Sequence, residues 1–221
     1  MTQEIRHHLT DAILMAYSAG SLNEAFSLMV ASHVSLCDEC RARLAAFDAL
    51  GGALLDEPPS GVALAEDSYA ATLARIAARP PEPSPEAAPA PRRTPGVLPG
   101  PLQDYVGGDL DQIRWRPVGM GVRQAILRTA PGATARLLFI PAGAAMPDHG
   151  HRGTEMTMVL QGAFSDEDDH FARGDVEIAD EHLHHTPVAD ISEDCICLAV
   201  TDAPLRFNSL LPRLVQPFLR I

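Results

Sequence analysis

Residues 143–162 read GAAMPDHGHRGTEMTMVLQG, and this stretch decides what the C-terminal half is. His149 and His151 are two apart, so on a strand both project to the same side. Glu155 shares their parity and begins the apolar run Met156–Leu160. Two imidazoles and a carboxylate bind Zn, Fe, Mn or Ni, and the donor mix does not choose among them. A fourth ligand is available from the cluster His182, His184 and His185.

Outward from this stretch the chain keeps a period of two. Ile113 and Trp115 alternate with Arg114 and Arg116, and Leu137 and Phe139 with Leu138 and Ile140. Val176 and Ile178 flank Glu177. Turn signals at Pro131-Gly132, at Pro141 to Gly143 and at Arg173-Gly174 separate the runs. Many short strands at regular spacing predict a β-sandwich or small barrel over residues 102–221.

Upstream, proline recurs every few residues through 80–101 (RPPEPSPEAAPAPRRTPGVLPGP spans 79–101). Such a segment buries little and reads as an extended, solvated linker. Residues 1–79 switch to helical spacing. Thr10 or Asp11 caps a helix running through Ala19, and Gly20 supplies a left-handed stop. Ser21-x-x-Glu24 has the form of a capping box opening a second helix. A third helix, from about Cys40, carries Leu44, Phe47 and Leu54 and is loosened at Gly51-Gly52. A fourth carries Tyr69, Leu73 and Ile76 as a narrow apolar stripe, which either packs on the first three helices or embraces a partner.

On the second helix Phe26, Met29, His33 and Cys37 fall on one face. His33 and Cys37 are i and i+4, and Cys40 follows where the chain can curl back, giving H-x3-C-x2-C. An imidazole, two thiolates and one further nitrogen make a closed tetrahedral site that suits Zn2+. The further nitrogen comes from His8 or from its neighbour His7. A helical segment this small is expected to hold together through metal and packing jointly.

The whole chain has 221 residues and a formal net charge of −12, with 17 basic residues that are all Arg. That balance argues against direct contact with nucleic-acid phosphates and suits a basic protein partner. No apolar stretch is long enough to span a bilayer and the start lacks a signal pattern, so a cytoplasmic location is expected. There the four cysteines stay reduced. Cys195 and Cys197 form a C-x-C in the run CICLAV, facing one way. Buried core is the favoured reading over an oxidant-sensitive pair, because a disulfide between such close residues is strained.

Gly143, His149, His151, Glu155 and Gly162 match the first cupin motif, G-x5-H-x-H-x3-E-x6-G, at every specified position. The second motif is matched by Gly174 and His185, while Asp180, His182 and Ala189 stand where Pro, Gly and Asn are usual. The N-terminal segment resembles a zinc-binding anti-sigma domain through His8 and His33-x3-Cys37-x2-Cys40. Joined in this order, the two halves resemble the ChrR-type anti-sigma factors. The resemblance implies a multidomain α + β fold: a zinc-bound helical bundle (1–79), a proline-rich linker (80–101) and a cupin jelly-roll β-barrel (102–221). It implies a first site of His8, His33, Cys37 and Cys40 holding Zn2+. It also implies a second, of His149, His151, Glu155 and His185, holding Zn2+ or another divalent metal. The implied function is 1:1 sequestration of an extracytoplasmic-function sigma factor, without direct nucleic-acid or membrane contact. Release would follow singlet oxygen or related oxidants acting through the cupin half. The competing reading is a metal-dependent cupin enzyme, an oxygenase or isomerase, with a zinc domain for docking. A simple cupin oxygenase does not need the N-terminal zinc domain, and the sequence shows no paired acid and base beyond the ligands.

Overall fold

The first helix, α1 (Asp11–Ser18), starts at the Thr10 hydroxyl, which accepts from the Ile13 N–H at 3.3 Å. It ends at Gly20, whose φ of +66° is the left-handed turn expected there. α2 (Glu24–Leu36) is capped by Asn23, whose side chain accepts from the Phe26 N–H at 3.1 Å. The capping box expected from Ser21 does not form. The Ser21 hydroxyl instead donates to the Ala16 carbonyl and closes α1, because the Asn23 amide sits closer to the first turn of α2. α3 (Asp38–Asp56) begins two residues earlier than expected and runs through Gly51-Gly52 without a break. α4 (Ser68–Ala78) buries none of its residues.

A computed structural model describes residues 4–56, 63–79, 95–147, 149–150, 152–180, 184–203 and 206–207. The central linker residues 80–94 lie outside the described residues. The segment from 95 onward differs from the expected solvated linker. Leu98 is buried, the Val97 and Leu98 N–H groups donate to the Asp109 carboxylate at 2.9 Å each, and α5 (Gly100–Val106) starts immediately. The Val-Leu pair between the prolines supplies apolar surface, and Pro101 suits the first turn of a helix.

After a 3-10 turn (Leu110–Gln112) come β1 (Arg116–Gly119), β2 (Val122–Ile126), β3 (Thr134–Ile140), β4 (His149–Gly150), β5 (Glu155–Gln161) and β6 (Ala163–Ser165). They are followed by β7 (His170–Ala172), β8 (Val176–Ala179), β9 (His184–His185), β10 (Val188–Ala189), β11 (Cys195–Thr201) and β12 (Arg206–Phe207). Ile113 and Trp115, expected in a strand, precede β1 and pack half-buried on the core, with Trp115 edge-on to Phe139. One antiparallel sheet has the order β1-β2-β3-β11-β5-β8; two three-stranded sheets run β10-β6-β7 and β12-β4-β9.

The centre of the large sheet, β3, β11 and β5, is buried on both faces. Ile196, Leu198 and Val200 of β11, Met156, Met158 and Leu160 of β5, and Leu137 of β3 point into one core. That core also holds Phe26, Leu28, Met29 and Val30 of α2 and Leu102 of α5. The alternate residues Cys195, Cys197, Val159 and Ile140 join a second core with Phe164 and Phe171 of the small sheet. The continuous apolar run CICLAV is what a doubly covered strand requires. The helical segment is thus packed onto the outer face of the barrel's main sheet.

Candidate metal centres

Cys37 is the residue where α2 stops, with an extended backbone (φ −107°, ψ 109°), and α3 starts one residue later. This joint sets the Cys37 thiol beside the first turn of α3, where the Cys40 N–H donates to its sulfur at 3.4 Å. His33, one turn earlier on α2, lies on the same face. His8 arrives from the N-terminal segment, its Nδ1 3.3 Å from Cys37 Sγ and 3.7 Å from Cys40 Sγ. One ligand atom from each of His8, His33, Cys37 and Cys40 lies within 4.8 Å of all the others, and the group can hold a metal ion. His7 points elsewhere: its Nε2 meets Asp169 at 2.9 Å, and its ring packs on Phe171.

The surroundings fit a metal. The His33 ring nitrogen Nδ1 is 3.0 Å from the Gly174 carbonyl oxygen and so carries the proton, donating it there. Its Nε2 is buried and has no hydrogen-bond partner among the described residues, an orphaned basic nitrogen inside a thiol cluster. Burial pushes His33 down to about 4, so the ring is neutral, as a ligand must be. Burial also pushes the Cys40 thiol up to about 11, so without a cation this sulfur keeps its proton. A divalent ion held here would supply the charge that makes two buried thiolates tolerable. Glu39 lies 3.4 Å from His8 Nε2 and Arg43 3.9 Å from the Cys40 sulfur, an outer ring of charge around an N2S2 donor set.

A second cluster lies inside the barrel. His185, on β9, is buried, with Nδ1 2.8 Å from Glu177 Oε1 and 3.4 Å from Asp166 Oδ2. These three residues also form a group that can hold a metal ion. Burial raises Glu177 above the usual carboxylate range. Burial works against a charged His185, yet the bond and charge of Glu177, joined by Asp166, raise it above its ordinary value. For Asp166 burial acts upward, but N–H bonds from Asp169 and Asp168 and its bonds to Glu177 and His185 hold it below the usual range.

Of the ligands expected here, His185 is in the cluster, and His149 is its register partner across β4 and β9. Glu155 begins β5 and accepts from the Thr157 hydroxyl at 3.3 Å. His151 and His182 lie outside the described residues. Asp166 and Glu177 are not among the expected ligands. Asp166 sits in the acidic run SDEDD, which reads as a solvated loop, and Glu177 alternates with Val176 and Ile178 as a surface residue would. The signal that would have found Glu177 is that β8 has two buried faces, which no spacing encodes. Cys195 and Cys197 are both buried, with their sulfurs 3.5 Å apart. The Cys195 hydrogen bond and burial raise Cys197 well above the ordinary thiol value, the state of core thiols rather than reactive ones.

Comparison with known proteins places both halves together. Residues 103–205 match the family described as the ChrR cupin-like domain. The anti-sigma-E factor ChrR of Cereibacter sphaeroides is 60% identical over 217 residues, covering 98% of this chain and 99% of that protein. The chain belongs to the ChrR family of anti-sigma factors. A crystal structure of Rhodobacter sphaeroides SigE in complex with the anti-sigma ChrR matches with a TM-score of 0.75 at 56% identity, covering 90% of this chain and 100% of that one. An RmlC-like cupin protein from Ralstonia eutropha JMP134 is 27% identical over 46% of this chain and 70% of its own, with a TM-score of 0.41. Among the described residues no helix is long and apolar enough to cross a membrane.

Proposed function

We propose that this chain is an anti-sigma factor that sequesters an extracytoplasmic-function sigma factor, one to one, through its metal-bound helical segment. The observation that carries the reading is the His8, His33, Cys37 and Cys40 group, in a chain 60% identical to an anti-sigma-E factor across both halves. The metal is Zn2+, since two thiolates and two imidazoles at tetrahedral spacing suit it best. When bound, it cross-links the N-terminal segment, α2 and α3 and supplies no chemistry beyond that.

The surface offered to the partner is α4 together with the end of α3. Tyr69, Leu73 and Ile76 are 76%, 46% and 65% exposed, and Leu50, Leu54 and Leu55 are exposed as well. Six large apolar side chains in contact with water are stabilised by a partner that covers them. With a net charge of −12 the chain favours a partner carrying basic patches. The protein is a regulator and works in the cytoplasm.

The second site is held by His149, His151, Glu155 and His185 and takes Zn2+ or another divalent ion. Asp166 and Glu177 lie behind His185: with the Nδ1 proton directed at these carboxylates, Nε2 is the basic nitrogen for the metal. Singlet oxygen or a related oxidant acts on this half and frees the sigma factor. The test is to co-express the chain with an extracytoplasmic-function sigma factor of the SigE type and weigh the purified complex. A 1:1 species that fails to initiate transcription supports the reading; two proteins that never co-elute overturn it. For the sensor, a His149→Ala, Glu155→Ala variant should bind the sigma factor but not release it under photosensitised singlet oxygen.

A further inference from the structure

Four consecutive residues, Gly174 to Glu177, touch ligands of both metal centres or the backbone beside them. Asp175 is buried, and its Oδ1 accepts from the Arg6 N–H at 2.6 Å and the His7 N–H at 2.9 Å, the two residues immediately before His8. Its Oδ2 accepts from the Ala172 N–H at 2.9 Å, which fixes the carboxylate from its own turn. The Val176 N–H donates to the His7 carbonyl at 3.1 Å, so the N-terminal segment is laid along β8, the edge of the main sheet. The Gly174 carbonyl accepts from His33. Gly174 has φ +92°, a conformation that strains any L side chain, and a Cβ there would also push aside the Ile5 side chain, whose Cδ1 would stand 2.5 Å away. Three residues on, Glu177 holds His185.

We propose that Gly174, Asp175 and Glu177 form one outer shell shared by both metal centres. In it the Gly174 carbonyl and Asp175 position His33 and His8, Glu177 positions His185, and metal retention at the two centres is interdependent. This rests on the reading above that each centre holds a metal. The physical reason is that outer partners fix the orientation and protonation of a ligating ring, and their removal weakens metal binding about 10–100-fold. A short, hydrogen-bonded stretch anchored at both ends carries a displacement at one end to the other, and such coupling is reciprocal. In this assignment Asp175, Gly174 and Glu177 are positioning residues, Glu177 meeting the Nδ1 side of His185 while Nε2 faces the metal.

The test uses the full chain loaded with Co2+. The thiolate-to-cobalt charge-transfer band reads the Cys37 and Cys40 centre, because Cys195 and Cys197 lie in the other core and in neither ligand group. Loss of the band after addition of EDTA gives a release rate. Asp175→Ala and Gly174→Ala should release about tenfold faster than the unaltered chain. Asp175→Asn, which keeps one accepting oxygen, should fall between. Glu177→Gln should lose metal from the second centre and also speed loss of the thiolate band. Val122→Ala, which opens a cavity in the inner core at a residue belonging to neither ligand group, serves as the stability control and should keep the original rate of thiolate-band loss. An unchanged rate in a folded Asp175→Ala chain overturns the proposal, as does a rate that follows overall stability in Asp175→Ala and Val122→Ala alike. A Glu177→Gln chain that has lost its second metal yet holds the first as before overturns the coupling. Absence of the thiolate band in the unaltered chain refutes the metal reading itself.

Discussion

The His33 Nδ1 lies 3.0 Å from the carbonyl oxygen of Gly174, a residue 141 positions further along the chain. A member of the His8, His33, Cys37 and Cys40 group, which can hold a metal ion, is therefore oriented by a turn of the barrel. The bond fixes the tautomer and leaves Nε2 as the orphaned nitrogen among the thiols. The helical segment and the barrel are joined at this candidate metal group as well as through the apolar core between them.

The first prediction concerns the two adjacent histidines. His8→Ala should lower the metal content by one equivalent, because His8 Nδ1 sits 3.3 Å from the Cys37 sulfur. His7→Ala should retain that equivalent, since its ring meets Asp169 and lies outside the ligand group. Cys37→Ser and Cys40→Ser should lose the metal together with helical circular dichroism, as ligation of so small a segment is largely folding free energy. Elemental analysis of the purified variants checks all four.

The second prediction follows from the shared core. Met29 and Leu198 are fully buried in one cluster, one on α2 and the other on β11. Met29→Ala and Leu198→Ala should each cost about 2–5 kcal/mol. Both should lower the midpoint of the same urea transition, because the cavity opens between the two halves in either case. A Met29→Ala chain whose barrel transition is unmoved would show that the halves unfold independently.

Much of this arrangement is legible in the order of the residues alone, and the parts that are not share a cause. Helix α1, its Thr10 cap and its Gly20 stop follow from local rules, as does the i, i+4 pairing of His33 with Cys37. What escapes is whatever depends on contacts across the chain. Asn23 takes the cap expected of Ser21 because Ser21 is used by the preceding helix. Leu98 leaves the proline-rich stretch for the core because a core happens to lie beside it. Glu177 looks like a surface residue until both faces of β8 are known to be covered. The carboxylates behind His185 have no spacing signature, since outer-shell partners are recruited in space and not along the chain.

The third prediction is a pH profile. Glu24, at the start of α2, accepts from the Tyr105 hydroxyl at 2.6 Å and from the Ala130 N–H at 2.5 Å, tying α2 to the barrel side. These bonds, Tyr105 first, hold the Glu24 carboxyl below 4.5, so its contribution is present above that value and is lost as pH falls through the depressed one. The Glu24 bond pushes Tyr105 from 10 up to about 12, so the neutral phenol stabilises the fold below 10 and that gain is lost as pH rises from 10 to about 12. Glu24→Gln should lower the melting temperature slightly at neutral pH, since Glu24 is fully exposed and solvent screens it. The difference from the unaltered chain should shrink at both pH extremes; a difference that grows toward acid would contradict the assignment.

The fourth prediction separates partner binding from folding. Leu73 and Ile76 are exposed on a helix with no buried residue. A Leu73→Ala, Ile76→Ala chain should unfold within about 0.5 kcal/mol of the original. Its affinity for the sigma factor should fall roughly tenfold or more, because truncating anchors in an interface costs over about 1 kcal/mol each. Titration calorimetry and chemical unfolding on the same preparation read the two effects apart.

The central claim is that a metal-ordered helical segment masks a sigma factor, and single-round transcription from a sigma-dependent promoter tests it most directly. The sigma factor and polymerase are held fixed while the purified chain is added, once loaded with Zn2+ and once as the Cys37→Ser, Cys40→Ser variant. The loaded chain should abolish transcription at one equivalent per sigma factor, and the variant should leave it intact at large excess. Equal inhibition by both, or undiminished transcription with the loaded chain in excess, would contradict the account.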